Sequence, residues 1–141
     1  MRRQRGSVSV EMAILAPAFL LLIVLGIVHG RVAIAANAID VAAHDAARAA
    51  SISRTAGAAE SNAIAAATEA LAQQGLECVE APQIEPDVSG FAQDGLQLVF
   101  VSVTVTCEVS FVDVKFLPFI PDSRVLTSTF VSPVDIFRER Q

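Results

Sequence analysis

The stretch Gly6–Arg31, GSVSVEMAILAPAFLLLIVLGIVHGR, decides how the chain is read. From Met12 to Val28 it holds 17 residues without a charge. As a helix rising ~1.5 Å per residue, that run is about 26 Å long, close to the ~30 Å hydrocarbon core of a bilayer. Arg2, Arg3 and Arg5 stand before it, and only Arg31 follows closely. By the positive-inside rule the N-terminus is expected in the cytoplasm and the remainder outside it. The chain has no Trp and no Tyr, so arginines rather than an aromatic belt mark the membrane edges. Pro17 lies inside the run, lacks a backbone donor and is expected to kink the helix. Gly26 and Gly30 form a small-xxx-small pair, a candidate face for close helix packing; glycine is also simply frequent in membrane helices.

Three readings of this stretch compete. It is a retained single-pass anchor, a secretory signal cut after Ala33-Ile34-Ala35, or a prepilin-like leader. Against the secretory signal stand Glu11 ahead of the apolar run, Pro17 within it, and His29 and Arg31 crowding the cut. The third reading rests on spacing. Gly6 ends a short basic leader and Glu11 lies five residues after it. Cleavage between Gly6 and Ser7 would make Ser7 the new N-terminus and Glu11 the fifth residue. This arrangement resembles type IV pilins and pseudopilins, in which the glutamate is proposed to pair with the N-terminal amine of a neighbouring subunit. An ionisable group in a membrane helix costs ~2.5–3.5 kcal/mol at the helix centre and less near its end, so it usually has a partner. The plain alternative is a Glu11 solvated among headgroups.

Past Arg31 the helical pattern continues. Ala33–Ala50 contains ten alanines in 18 residues, with no Pro or Gly. Several pieces now stand in order: Arg5-Gly6, Val10-Glu11-Met12-Ala13, Pro17, Gly26-Ile27-Val28-His29-Gly30-Arg31, and Ala46-Ala47-Arg48. Together they resemble the TadE-like family of Tad (tight adherence, Flp-type) pilus assembly proteins, over roughly residues 5–50. The resemblance implies a minor pilin or pseudopilin of the cell envelope, processed by a prepilin peptidase. It implies as partners the membrane, other pilin-like subunits and Tad assembly proteins. Met12 departs mildly from the family, which commonly has Phe or a similar apolar residue there.

The rest of the chain reads as a small α+β domain. Its expected organisation is a basic leader over 1–6, a transmembrane helix over 7–31, a helical extension over 32–54 and an exported domain over 55–141. Arg54–Gly57 reads as a break. Ser61–Gln74 reads as a second helix capped by Ser61 and ended by Gly75. Leu76–Ile84 is a candidate strand, ended by Pro82 and Pro86, and a polar, turn-rich stretch Glu85–Gly95 follows. The clearest strand places Val99, Val101, Val103, Val105, Cys107, Val109 and Phe111 on one face, and Ser102, Thr104, Thr106, Glu108 and Ser110 on the other. That period of two predicts a half-buried antiparallel strand, with Val125–Val131 as its partner. Outside the cytoplasm Cys78 and Cys107 can bridge; closing a loop of about 30 residues stabilises by roughly 3–4 kcal/mol in the chain-entropy model. Two buried free thiols are the alternative. Phe116–Pro121 is an apolar loop that folds back on the domain or meets another subunit.

Charge and motifs bound the function. From Thr55 to Val114 there are nine acidic residues and no basic one, which argues against nucleic-acid binding there. Asp40 and His44 lie four apart on one helix face, and Asp45 and Arg48 three apart. A solvated helix face explains both better than a catalytic or metal dyad, because no nucleophile or third ligand is near in sequence. Glu77, Glu80, Glu85 and Asp87 read as a solvated acidic run. There is no Gly-x-Ser-x-Gly, no phosphate loop and no His-Glu-x-x-His. The expectation is a structural or assembly protein without catalytic residues, metal or cofactor. The runner-up is a secreted or membrane-tethered binding domain with an ordinary signal or anchor.

Overall fold

The computed structural model describes residues 7–92, 99–111 and 121–134. The leader with Gly6, and residues 116–120 of the apolar loop, lie outside the described residues. The elements are α1 (Ser7–Ser51), α2 (Ala56–Gln73), β1 (Gln83–Asp87), a 3-10 turn (Ser89–Ala92), β2 (Phe100–Ser110) and β3 (Ser123–Pro133). The chain divides into two compact units between Ala33 and Ile34.

In the second unit the core is built on alanine. Ala35, Ala38, Ile39, Ala42, Ala43, Ala46, Ala47 and Ala50 of α1 are buried, at the three- and four-residue spacings of one helical stripe. Ala59, Ala63, Ala67, Ala70 and Leu71 form the matching stripe of α2. Both helices join one cluster with Val99, Val101, Val103, Val105, Cys107 and Val134 of the sheet side. Alanine lets helix backbones come close, and the β-branched valines fill the remaining space.

The helix ends differ from expectation in an instructive way. At the end of α1, Ser51 Oγ donates to the Arg48 carbonyl, which also accepts from the Ile52 N–H at 3.2 Å, and Ser53 Oγ donates to the Ala49 carbonyl, each hydroxyl bond at 2.9 Å. The break therefore falls at Ile52–Thr55, not Arg54–Gly57. Thr55, not Ser61, caps α2: its Oγ1 accepts from the Ala58 N–H at 3.2 Å. Gly57 sits inside the first turn, where one glycine costs only ~1 kcal/mol. Ser61 instead donates back to the Gly57 carbonyl at 3.1 Å. The far end follows expectation. Gly75 has φ +64°, Gly75 N–H donates to Ala72 and Leu76 N–H to Leu71, a Schellman closure.

The sheet has the order β1-β2-β3, all antiparallel. β2 presents Val101, Val103, Val105 and Cys107 inward, all at most 2 % exposed. Its outward face pairs Thr104 with Thr129 and Thr106 with Thr127, hydroxyl to hydroxyl at 2.8 and 3.0 Å. The Ser123 hydroxyl donates to the Glu108 carboxylate across the same two strands.

The first strand corrects the reading of Leu76–Ile84. It runs Gln83–Asp87 and includes Pro86. The reason lies in the ladder. Phe111 N–H donates to Asp122 and Val134 N–H to Val99, so the odd residues of β2 bond β3 and the even ones bond β1. On β1, Gln83, Glu85 and Asp87 then bond β2, while Ile84 and Pro86 aim their backbone outward. Pro86 therefore removes no ladder bond, as an edge strand allows. The preceding segment is fastened by other means. Val79 N–H donates to the Glu108 carbonyl at 2.8 Å, and Cys78 is joined to Cys107 by a disulfide, with Cα atoms 5.5 Å apart.

Two local features close the β1–β2 connection. Asp87 Oδ1 accepts from the Ser89 N–H at 3.0 Å and opens the 3-10 turn. Hydrogen bonds from Ser89, side chain first and backbone second, hold the exposed Asp87 carboxyl below its ordinary value. Gly90 is buried, and a Cβ there would run into the Phe100 carbonyl oxygen and the Val99 side chain.

Close alanine packing is testable. Ala46→Leu should overfill the helix–sheet layer and cost about 1–3 kcal/mol in denaturant unfolding. Ala65→Leu, the same change on the exposed face of α2, should alter stability by less than ~0.5 kcal/mol.

Candidate functional site

In the first unit the stem side of α1 is a helix of large apolar side chains on which no described residue is packed. Val10, Met12, Ile14, Phe19, Leu20, Leu22 and Ile23 are each more than half exposed. Covering one such side chain is worth ~1.5–3 kcal/mol. A row of them in water would therefore cost more than the whole net stability of a typical domain. Among the described residues this is the single helix long and apolar enough to cross a membrane. Except at Pro17, the helix satisfies its own backbone groups, which is the condition for a spanning segment.

The residues singled out in the sequence fall along this stem. Ser7 opens the helix as its first residue. Glu11 is exposed, and among the described residues it has no ion-pair partner. The helix is continuous through Pro17; the hydrogen bond this residue cannot donate leaves the Ala13 carbonyl without its usual partner. Gly26 and Gly30 are exposed, and a Cβ added at either meets nothing within 4 Å. Neither glycine is needed for contacts within this chain. Ala33, also exposed, follows at the next helical spacing and extends the small-residue face. His29 Nδ1 donates to the Leu25 carbonyl at 3.1 Å and so commits its polar edge to its own helix.

The second unit has a different feature. A recess of about 480 Å³ is lined by Asp40, Val41, His44, Ser128, Thr129 and Phe130. The His44 ring meets Phe130 edge-on, with centroids 4.6 Å apart. His44 Nδ1 lies 3.2 Å from Asp45 Oδ1, and both side chains are about half exposed. Asp40 and His44 thus share a concavity with Ser128 and Thr129, but among the described residues His44 makes no hydrogen bond to either hydroxyl. Among the described residues no three His, Cys, Asp or Glu side chains gather to hold a metal ion. Sequence reading does not find this recess, because Ser128 and Phe130 reach it from β3. The alternation of Leu126, Ser128 and Phe130 is the available signal.

Mutation should separate the stem from the fold. Replacing Gly26 and Gly30 together by Ile should leave the unfolding of the second unit unchanged within ~0.5 kcal/mol. The same pair should reduce cross-linking between neighbouring chains in membranes.

The family model described as TadE-like protein matches residues 6–48, which include the whole apolar stem and part of the alanine stripe. Neither a curated protein nor a solved structure matches the chain significantly. Over residues 6–48 the chain is similar to TadE-like proteins.

Proposed function

We propose that the protein is a membrane-anchored structural subunit, a minor pilin or pseudopilin, of a Tad-type pilus or a related secretion apparatus. One observation carries the reading: the stem is apolar, exposed and unused by the chain's own fold, over the segment that is TadE-like. The N-terminus lies in the cytoplasm, on the side of Arg2, Arg3 and Arg5. The exported domain follows on the other side, where an oxidising compartment keeps Cys78 and Cys107 paired. Neighbouring stems pack through Gly26 and Gly30, where small residues let backbones approach. Pro17, nearer the cytoplasmic end, is where the stem kinks.

The leader is cut between Gly6 and Ser7 by a prepilin peptidase. Glu11 then pairs with the new amine of a neighbouring Ser7, which offsets the cost of a carboxylate near the membrane. Catalysis and energy come from other proteins of the assembly. The packing of Ala35 disfavours the secretory alternative. This residue is 2 % exposed within an unbroken helix, as part of the core stripe rather than an extended cleavage segment.

The N-terminal residue of the mature protein distinguishes the readings. Ser7 is the expected result; Ala36 would establish secretion, and an intact leader a plain anchor. Glu11→Ala should leave membrane insertion intact and lower recovery of the protein with its partners by tenfold or more, about 1.4 kcal/mol of pairing. Unchanged recovery would remove the charge pairing.

A further inference from the structure

The two edges of the sheet are treated differently. β1 is short, and the two residues that aim their backbone outward are Ile84 and Pro86. β3 is 11 residues long. By the same ladder parity, Ser123, Val125, Thr127, Thr129 and Val131 aim N–H and C=O groups away from β2. Among the described residues nothing bonds to those groups. No proline or charge interrupts Val125–Val131, and Val125 and Val131 are 61 % and 53 % exposed. Such an edge is a template for an added strand.

The recess lies at this same edge. Its floor is Ser128 and Phe130 of β3, and its rim is Asp40 and His44 of α1. A strand added to β3 would carry its inward side chains beside Leu126, Ser128 and Phe130, and the central one would enter the recess. The carboxylate of Asp40 favours a basic group there, as does the acidic balance of this part of the chain.

We propose that the β3 edge accepts an extended strand of another polypeptide, with a basic side chain of that strand seated in the recess beside His44. Backbone bonds to Val125, Thr127, Thr129 and Val131 supply affinity, and the recess supplies selection. The proposal rests on the reading that the exported domain meets partners outside the membrane. It names the surface where they meet.

The test uses the full chain in detergent and two synthetic peptides, Thr-Val-Thr-Lys-Thr-Val-Thr and the same sequence with Glu for Lys. Binding is followed by fluorescence anisotropy, and amide exchange by NMR. The Lys peptide should bind at least about tenfold more tightly than the Glu peptide and slow exchange at Val125, Thr127, Thr129 and Val131. Asp40→Lys should abolish the preference. Val131→Pro removes an outward N–H, as Pro86 does on β1, and Thr127→Pro removes one together with its hydroxyl contact to Thr106; each should abolish binding while the Cys78–Cys107 pair still forms. Equal binding of both peptides, or retained binding by the proline variants, would overturn the proposal. So would a free chain whose β3 amides are already slow, whether as a dimer, where a second copy covers the edge, or as a monomer, where the chain covers it itself. Peptide binding is read without any assembled apparatus, so its failure is distinct from failure of the pilus reading.

Discussion

The second unit depends on the contact between the alanine stripes of two helices and the valine row of β2. Ala42, Ala43, Ala46, Ala47, Ala59, Ala63 and Ala67 have no exposed surface, and neither do Val101, Val103 and Val105. Each alanine buries little area, at ~0.8 kcal/mol per CH₂-sized group, so the gain comes from many close contacts rather than from a few large side chains. A core of this kind tolerates no added volume and is thin in energy. The Cys78–Cys107 bridge adds roughly 3–4 kcal/mol by restricting the unfolded chain, on the scale of the net stability itself. It also holds the link between α2 and β1 against β2, where Val79 makes the one backbone bond of that segment to Glu108.

The same helix meets two environments with two side-chain vocabularies. Up to the Ala33–Ile34 boundary its residues are large, apolar and exposed; beyond it they are small and buried on one face. A helix is suited to this change because its backbone bonds are internal whatever surrounds it. The domain thus uses its small residues for its own packing. The stem leaves its large residues, and the open faces of Gly26 and Gly30, uncovered by the described residues, and on the proposed reading lipid and other helices cover them. Function on this account is association, and it follows from what the chain's own fold leaves uncovered.

Much of this is legible in the residues. The 17 uncharged positions from Met12 to Val28 read as a span, and the strict alternation from Val99 to Phe111 reads as the central strand with its buried face correctly placed. Gly75 reads as a helix stop because only a left-handed residue closes that turn. The differences have local causes. Thr55 is hard to see as a cap because Gly57 looks like a breaker, yet one glycine costs less than a capped, buried turn gains. Pro86 reads as the end of a strand because its outward orientation depends on ladder parity, which only the pairing reveals. The recess beside His44 joins residues far apart in sequence, and periodicity within one element carries no information on such a meeting.

Site-specific cross-linking along the stem tests the account most directly. With Cys78 and Cys107 paired, single substitutions Gly26→Cys, Gly30→Cys, Leu21→Cys and Val28→Cys are made in the full chain and oxidised in native membranes. At 3.6 residues per turn, positions 21 and 28 lie on the side roughly opposite positions 26 and 30. The account expects links to neighbouring stems from positions 26 and 30 and few from 21 and 28. Equal linking at all four positions, or links confined to 21 and 28, would contradict it.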